Sequence, residues 1–231
     1  MHRISVGHKQ AADPFNSHPT GVSSSTSQTH YGISRSLYFN GTQASSFIVS
    51  DNAAFAVYPV TVEVWLYSTT TSDFIIEFQN PTTGQYTVLG NQFAYQQAQT
   101  GGTSANAALG TTWTTNAWHH VAMTLWSSTL STTQADRVTW WLDGVSNGST
   151  AGSTFVLGTG TPNYQATGES RLVLGTYQYS LTGSNSPFTG YISELRVSNN
   201  ARYGTLGTTF TPPAAAMTSD VNTLLLYRAP Y

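Results

Sequence analysis

The chain has 231 residues, a formal net charge of −2 and only 8% charged residues, against roughly 25% in ordinary soluble proteins. This length allows one substantial core or two small ones, and the few scattered Lys and Arg residues exclude the cationic clusters that nucleic-acid binding needs. Because there is no cysteine, neither disulfides nor thiolate metal sites can form.

The first 34 residues are predicted to form an extended polar arm, separate from a domain at 35–231. The segment has a Ser/Thr run at 23–27 and no apolar stretch of the kind a secretory signal has. It therefore cannot bury enough apolar surface to offset its ordering cost of roughly 1–2 kcal/mol per residue. We expect the arm to dock on a partner through its isolated apolar residues: Ile4, Val6, Phe15 and Val22.

Short alternating or wholly apolar runs follow, separated by turn residues, which is typical of β-strands. They lie at 36–39, 45–49, 60–67, 73–78, 85–89, 118–126, 137–142, 171–175, 191–198 and 222–227. Asp143-Gly144 is a two-residue hairpin signal, and Asn40-Gly41 is a second turn signal. No amphipathic helix of ten or more residues and no 18-residue apolar run is present, so we expect an all-β, two-sheet antiparallel sandwich or jelly roll and no membrane span.

His119 and His120 lie next to each other in one of the predicted strands. Successive side chains of a strand point to opposite faces, so the two rings cannot bind one metal ion from a regular strand. A zinc site needs three or four ligands that converge from one side. We expect both histidines to be part of the scaffold, one hydrogen-bonded near the core and the other more exposed.

This part of the sequence also carries a resemblance. The WHHVA segment at 118–122 and the WLDGV segment at 141–145 are similar to a signature of laminin-G-like domains of the concanavalin A-like superfamily. Further similar blocks follow the same order along the chain, at 36–41, 62–67, 188–198, 210–213 and 220–226. The resemblance covers about residues 35–228 and implies a concanavalin A-like jelly roll.

Catalysis has little support in the sequence. The Glu-x-Asp-x-x-Glu motif of the glycoside hydrolases in this superfamily does not occur. If the strands at 60–67 and 73–79 formed a hairpin, Glu63 could lie opposite Glu77 at the separation of about 5–5.5 Å that retaining glycosidases use. There is also no Gly-x-Ser-x-Gly elbow and no phosphate-binding loop. We expect no enzymatic activity and no cofactor.

Relatives with this fold often hold calcium in a rim loop and bind glycans or proteins there. Calcium needs six to eight oxygen ligands, and Asp51 is the best candidate among several isolated aspartates. Sugar or partner contacts would use aromatic and amide side chains in loops, for which we name Trp113, Tyr177, Tyr179 and Asn185. These aromatic residues could instead cap the open ends of the sandwich.

The leading hypothesis is a non-enzymatic virion structural protein, either a capsid decoration subunit or a fibre or appendage subunit. The blocks FTPP at 210–213 and DVNTLLL at 220–226 resemble those of laminin-G-like domains in phage and viral structural proteins. We expect a multimeric assembly with other virion proteins, joined through the arm and formed in the host cytoplasm, and no nucleic-acid or membrane partner. The alternatives are a carbohydrate-binding adhesin or lectin that acts on a cell-surface glycan and, more remotely, a glycoside hydrolase.

Overall fold

The computed structural model describes residues 21–42, 45–49, 52–71, 74–79, 86–90, 93–97, 104–108, 112–125, 138–147, 171–180, 183–185, 187–204 and 207–229. Within them lie sixteen strands and one short 3-10 helix, Ala53–Ala56. No helix in these ranges is long and apolar enough to cross a membrane.

The strands form two large antiparallel sheets and one two-stranded ribbon. The eight-stranded sheet has the order β1-β2-β15-β4-β9-β10-β11, with β16 also paired to β15. Its members are β1 (Val22–Ser25), β2 (Ser36–Asn40), β4 (Val60–Ser68), β9 (Trp118–Leu125), β10 (Val138–Leu142), β11 (Val145–Asn147), β15 (Thr189–Ser198) and β16 (Thr223–Arg228).

The six-stranded sheet has the order β3-β12-β5-β6-β7-β8. Its members are β3 (Phe47–Val49), β5 (Phe74–Gln79), β6 (Tyr86–Gly90), β7 (Phe93–Gln97), β8 (Ser104–Ala108) and β12 (Arg171–Leu174). The ribbon pairs β13 (Tyr177–Ser180) with β14 (Gly183–Asn185). The predicted all-β architecture of two antiparallel sheets is confirmed.

One hydrophobic core cluster includes residues from both large sheets and has the period-2 pattern of β-strands. On β4, Val62, Val64 and Leu66 are completely buried, and β9 supplies Val121 and Met123. Each such side chain contributes roughly 1.5–3 kcal/mol when it leaves water. The intervening residues of these two central strands point to the other face of the sheet, which we call the outer face.

The conditional pairing of Glu63 with Glu77 is excluded, because the hairpin that it requires does not form. β4 and β5 belong to different sheets: Glu63 lies opposite Ala122 and Arg196, whereas Glu77 lies opposite Val173 and Val88. Between β4 and β5 the chain crosses from one sheet to the other. The two strands therefore do not pair, and Glu63 and Glu77 are not cross-strand neighbours.

The predicted Asp143-Gly144 turn is confirmed between β10 and β11. Asp143 has φ +50° and Gly144 has φ +80°, the two positive values that a type I′ turn requires. A Cβ atom on Gly144 would lie 1.9 Å from the carbonyl oxygen of Phe210, so glycine also allows a close backbone approach at this turn.

The boundary between arm and domain needs a correction. β1 pairs with β2 along its whole length, and Val22, which we expected to dock on a partner, is buried in the protein's own core at 5% exposure. Residues 21–34 thus belong to the sandwich, because β1 forms its backbone hydrogen bonds with β2 of the same chain. Ile4, Val6 and Phe15 lie outside the described residues.

Candidate functional site: an aromatic row on the outer face

Of the loop residues proposed from the sequence, Trp113 is a core residue. It is 3% exposed and packs in the hydrophobic cluster, so it offers no ring face to a ligand. Tyr177 lies opposite Asn185 in the two-stranded ribbon, and Tyr179 lies on the same strand, but the structure describes only the backbone at these three positions. Asp51 lies outside the described residues.

The two histidines of β9 point to opposite faces of the sheet, as predicted. Nδ1 of His119 donates to Oδ2 of Asp143 at 2.7 Å, and its Nε2 accepts from the Thr114 hydroxyl at 3.0 Å. Nε2 of His120 donates to Oε2 of Glu63 at 3.0 Å on the outer face. The side chain of His120 is fully buried and that of His119 is 12% exposed, so both are hydrogen-bonded scaffold residues and one is more exposed, but the buried one lies on the outer face and not in the hydrophobic core.

Glu63 is the centre of a buried polar network on the outer face. Its carboxylate accepts from Nε of Arg196 at 2.6 Å, from the Tyr203 hydroxyl and from His120. Burial by itself would raise the pKa of Glu63, but the hydrogen bonds from His120 and Arg196 outweigh burial and hold the pKa below its usual range. Burial, followed by the charge of Glu63, raises the pKa of the Tyr203 hydroxyl, which therefore remains a donor.

The segment after β15 covers this network. Tyr203 and Phe210 stack with ring centroids 3.6 Å apart, and both contact His120 and Trp141 edge to face. The Glu63 carboxylate is thereby closed off from solvent and fully hydrogen-bonded, which is the arrangement of a structural ion cluster rather than of a reactive group.

An adjoining part of the same face carries a row of half-buried aromatic side chains, which we call the aromatic row: Tyr38, Tyr191, Tyr67 and Trp118. Each lies directly opposite the next across neighbouring strands β2, β15, β4 and β9. Successive ring centroids are 5.0, 6.0 and 5.7 Å apart. Because directly opposed residues of an antiparallel sheet share a face, the row is fixed by strand register.

A second row of uncharged polar residues lies two positions in the sequence from three of these aromatic residues, all on the same side of the aromatic row. This polar row consists of Asn40, Thr189 and Thr69. Asn40 lies opposite Thr189, and the backbone N–H of Thr69 donates to the carbonyl oxygen of Thr189 at 2.9 Å. Asn40 and Thr69 are exposed, so amide and hydroxyl groups lie about 7 Å from the aromatic rings, two residues along a strand.

The Trp118 end of the aromatic row meets the loop before β2. The His30 ring packs against Trp65 and Trp118 at centroid distances of 3.9 and 5.0 Å, and Tyr31 beside it is 47% exposed. Burial, and to a smaller extent His120, lowers the pKa of His30 to about 4, so this ring is uncharged at neutral pH.

None of the four aromatic residues was among the predicted ligand contacts, all of which were expected in loops. A signal was nevertheless present: Tyr38, Tyr67 and Tyr191 each stand beside a core residue in their strand, at positions where an outward-facing strand usually carries a polar side chain.

Comparison with known families gives one match that covers most of the chain. Residues 42–204 match the family model described as the concanavalin A-like lectin/glucanases superfamily. A search of curated proteins finds no match.

Several solved structures resemble the chain at low sequence identity. A protein from Bacteroides ovatus named for carbohydrate binding is 18% identical, with a TM-score of 0.44 over 82% of this chain and 50% of that one. A heptameric SAP-like pentraxin from Limulus polyphemus is 15% identical, with a TM-score of 0.43 over 71% and 75% of the two chains.

The enzymatically active domain of tailspike protein 2 from bacteriophage CBA120 is 11% identical, with a TM-score of 0.48 over 90% of this chain and 32% of that one. The chain thus spans about half the length of the Bacteroides protein and about a third of the tailspike domain. From its family match, the chain belongs to the concanavalin A-like lectin/glucanase superfamily.

Proposed function

We propose that this protein is a non-catalytic carbohydrate-binding module and that the aromatic row is its binding surface. The observation that carries the proposal is the register-matched line of four aromatic rings on an outer sheet face, with hydroxyl and amide side chains beside it. A fold alone does not fix a function, so the proposal depends on this surface.

The chemistry of the surface suits a sugar. One face of a pyranose ring is made of C–H groups, which gain free energy when they leave water against an aromatic ring. The hydroxyl groups at the edge of the sugar need hydrogen-bond partners. The side-chain NH2 of Asn40 is a donor, and the hydroxyl oxygens of Thr189 and Thr69 are acceptors, whereas Oδ1 of Asn40 already accepts from Thr42 and the Thr69 hydroxyl donates to the Thr189 carbonyl oxygen. An apolar platform with a few polar groups beside it is a common composition of ligand sites.

The carboxylates of the described residues support a non-enzymatic role. Glycosidases use two carboxyl groups on either side of the scissile bond. Glu63 and Glu77 lie on different sheets, and the Glu194 carboxylate accepts from Nε of Arg228 at 2.7 Å and from the backbone N–H of Met217. A carboxylate paired with a guanidinium is held in its ionised form and does not act as a general acid.

Affinity electrophoresis tests the proposal. Gels would contain soluble neutral or acidic polysaccharides, and pull-down assays would use insoluble cellulose and chitin. We expect at least one glycan to retain the protein, and retention to be lost in a Tyr67→Ala, Trp118→Ala double variant. Tyr67→Phe, which keeps the ring, and Val221→Ala, which changes an exposed distant side chain, are the matched controls. Failure of every glycan to retain the protein would contradict the proposal.

Cross-strand aromatic pairs also stabilise a sheet, by about 0.2–1 kcal/mol each. Urea unfolding of each variant therefore accompanies the binding assay. A variant that stays folded but loses glycan retention assigns the rings to binding, whereas a loss of retention that follows only from unfolding assigns them to the scaffold and contradicts the proposal.

We also propose that the module works as part of a virion, where other structural proteins hold it and the outer face meets a cell-surface glycan. The support is compositional: with 8% charged residues, copies can pack closely without strong like-charge repulsion. Analytical ultracentrifugation tests the assembly part of the proposal. We expect a multimer for the full chain and smaller species after deletion of residues 1–20, and a full chain that stays monomeric at high concentration would contradict it.

A further inference from the structure

We propose that the aromatic row binds a single uncharged polysaccharide chain that runs across the strands, with about one sugar residue on each of β2, β15, β4 and β9. This inference rests on the proposed carbohydrate-binding function and specifies the ligand class for the same surface.

The spacing of the rings indicates the direction in which the bound glycan runs across the sheet. Neighbouring strands of a sheet are about 4.8 Å apart, which is close to the advance per pyranose ring along an extended polysaccharide. The centroid distances of 5.0, 6.0 and 5.7 Å follow this strand spacing. A glycan that lies perpendicular to the strands therefore meets a new aromatic ring with each sugar, whereas a glycan parallel to one strand meets a single ring.

The tilt of the rings favours a single glycan chain, rather than the flat surface of a crystalline polysaccharide, as the ligand. Successive rings are inclined to one another by 39°, 76° and 61°, so the four do not share a plane. The sheet itself twists by roughly 20–25° per strand. A flat crystal face of cellulose or chitin could contact only part of such a row. A free chain can follow it, because rotation about each glycosidic bond turns the next sugar.

The charge of the surface selects against acidic glycans. None of the seven residues in the aromatic and polar rows is charged, and His30 at the Trp118 end is neutral at neutral pH. A uronate or sulfate group would lose hydration against the rings without a cation to compensate for that loss. None of the seven carries a carboxylate either, so sugar binding at this surface needs no bridging calcium ion.

The polar row determines how the glycan is oriented on the aromatic row, because hydrogen-bonding side chains lie along only one edge of the bound glycan. Asn40, Thr189 and Thr69 line only one side of the aromatic row, next to the turn at Asn40-Gly41. Asn40 lies opposite Thr189, and its Oδ1 accepts from the backbone N–H and the hydroxyl of Thr42 at 3.0 and 2.8 Å, which fixes the side-chain amide of Asn40. Hydroxyl groups on one edge of the glycan thus have hydrogen-bond partners in fixed positions.

The test compares four classes of probe on the full-length protein at neutral pH. Mixed-linkage β-glucan, xyloglucan, galactomannan and dextran are soluble and neutral, and alginate, polygalacturonate and heparin are soluble and acidic. Crystalline cellulose and chitin are insoluble. Oligosaccharides of two to six residues, prepared from whichever neutral polymer retains the protein, are titrated by calorimetry with and without EDTA.

We expect retention by at least one soluble neutral polymer, unchanged by EDTA. Affinity should rise from the disaccharide to the tetrasaccharide and then level off, and Trp118→Ala should lower it by about tenfold or more. Asn40→Ala should lower it less, with Val221→Ala as the control. Retention only by acidic or crystalline glycans, or an affinity that does not depend on length, would overturn this inference and leave the proposed function standing. No retention by any probe would overturn both.

Discussion

Nε2 of His120 lies 3.0 Å from Oε2 of Glu63, and both side chains are completely buried on the outer face of the eight-stranded sheet. Arg196 reaches the same carboxylate from the neighbouring strand, at 2.6 Å. At Glu63, β4 is therefore buried on both faces, by the apolar core on one side and by a closed ion cluster on the other. The WHHVA motif, which predicted the fold, thus contains a residue that joins two central strands through a side chain.

Replacement of Glu63 by Gln should lower the free energy of unfolding by about 3–5 kcal/mol, because Arg196 would keep its charge in a buried place without a counter-charge. Urea unfolding at neutral pH measures the change. Asp220→Asn is the matched control: Asp220 pairs with Arg202 at 2.8 Å but is 42% exposed, so its loss should cost only about 0–1 kcal/mol. Equal effects of the two substitutions would contradict this account of the cluster.

His30 should make stability depend on pH in a defined window. Burial and the nearby His120 lower its pKa from 6.5 to about 4, so between these values the unfolded chain binds more protons than the folded one. The contribution of His30 is fully present above pH 6.5 and is lost as the pH falls from 6.5 to about 4. His30→Phe keeps a ring against Trp65 and does not titrate.

The measurement is the free energy of unfolding of the natural protein and of His30→Phe at several pH values from 7.5 to 4. The difference between the two proteins should change in this window, with the natural protein losing more stability on acidification. Parallel curves would show that His30 titrates normally. Protonation of Glu63 contributes at lower pH, because its pKa lies below the usual carboxylate range.

Much of the fold can be predicted from local patterns, and the parts that failed share one physical cause. Alternation along Val62, Val64 and Leu66 predicts the core face, and Asp143-Gly144 predicts a turn because few other residues adopt positive φ at both positions. Pairing between strands is different. β4 and β5 are consecutive strands in the sequence, yet the chain crosses to the other sheet between them, and no local residue pattern specifies that crossover.

The outward-facing tyrosines carry a local signal, but their assembly into one site could not be predicted, for a related reason. Tyr38, Tyr67, Trp118 and Tyr191 are far apart in the sequence, and only the strand order β2-β15-β4-β9 brings them into one row. The strand β15, which carries Tyr191, comes from near the end of the sequence. In the sheet it lies between β2 and β4, which both come from the first third of the sequence. Long-range antiparallel pairing therefore creates the surface, whereas a motif search sees four unrelated aromatic residues.

The two histidines of β9 should contribute unequally to stability. His120→Ala removes a buried hydrogen-bond donor from Glu63 and should cost about 1–3 kcal/mol in addition to the lost packing. His119→Ala should cost less, because its partner Asp143 is 47% exposed and water can replace the ring. Thermal unfolding of the single variants measures the difference, and a larger loss for His119→Ala would contradict the assignment.

The double variant of His119 and His120 should not change any zinc content of the purified protein. The two rings bind Asp143 and Glu63 on opposite faces, so they cannot act as joint ligands. Elemental analysis by mass spectrometry provides the measurement. Stoichiometric zinc that disappears in the double variant would show that the rings come together in solution.

Two truncations separate the strand β1 from the residues before it. Deletion of 1–34 removes Val22 from the core, the whole pairing of β1 with β2 and the His30 ring that covers Trp65. Burial of Val22 alone is worth roughly 1.5–3 kcal/mol, and each kcal/mol shifts the melting temperature by about 2–4 °C in a chain of this size. With the lost hydrogen bonds, the melting temperature should fall by roughly 10 °C.

Deletion of 1–20 keeps β1, and since Ile4, Val6 and Phe15 are isolated apolar residues, it should change the melting temperature by only a few degrees. Differential scanning calorimetry on both truncations decides the point: an equally large fall for the shorter deletion would place residues 1–20 in the folding unit, and no fall for the longer one would contradict the assignment of β1 to the sheet.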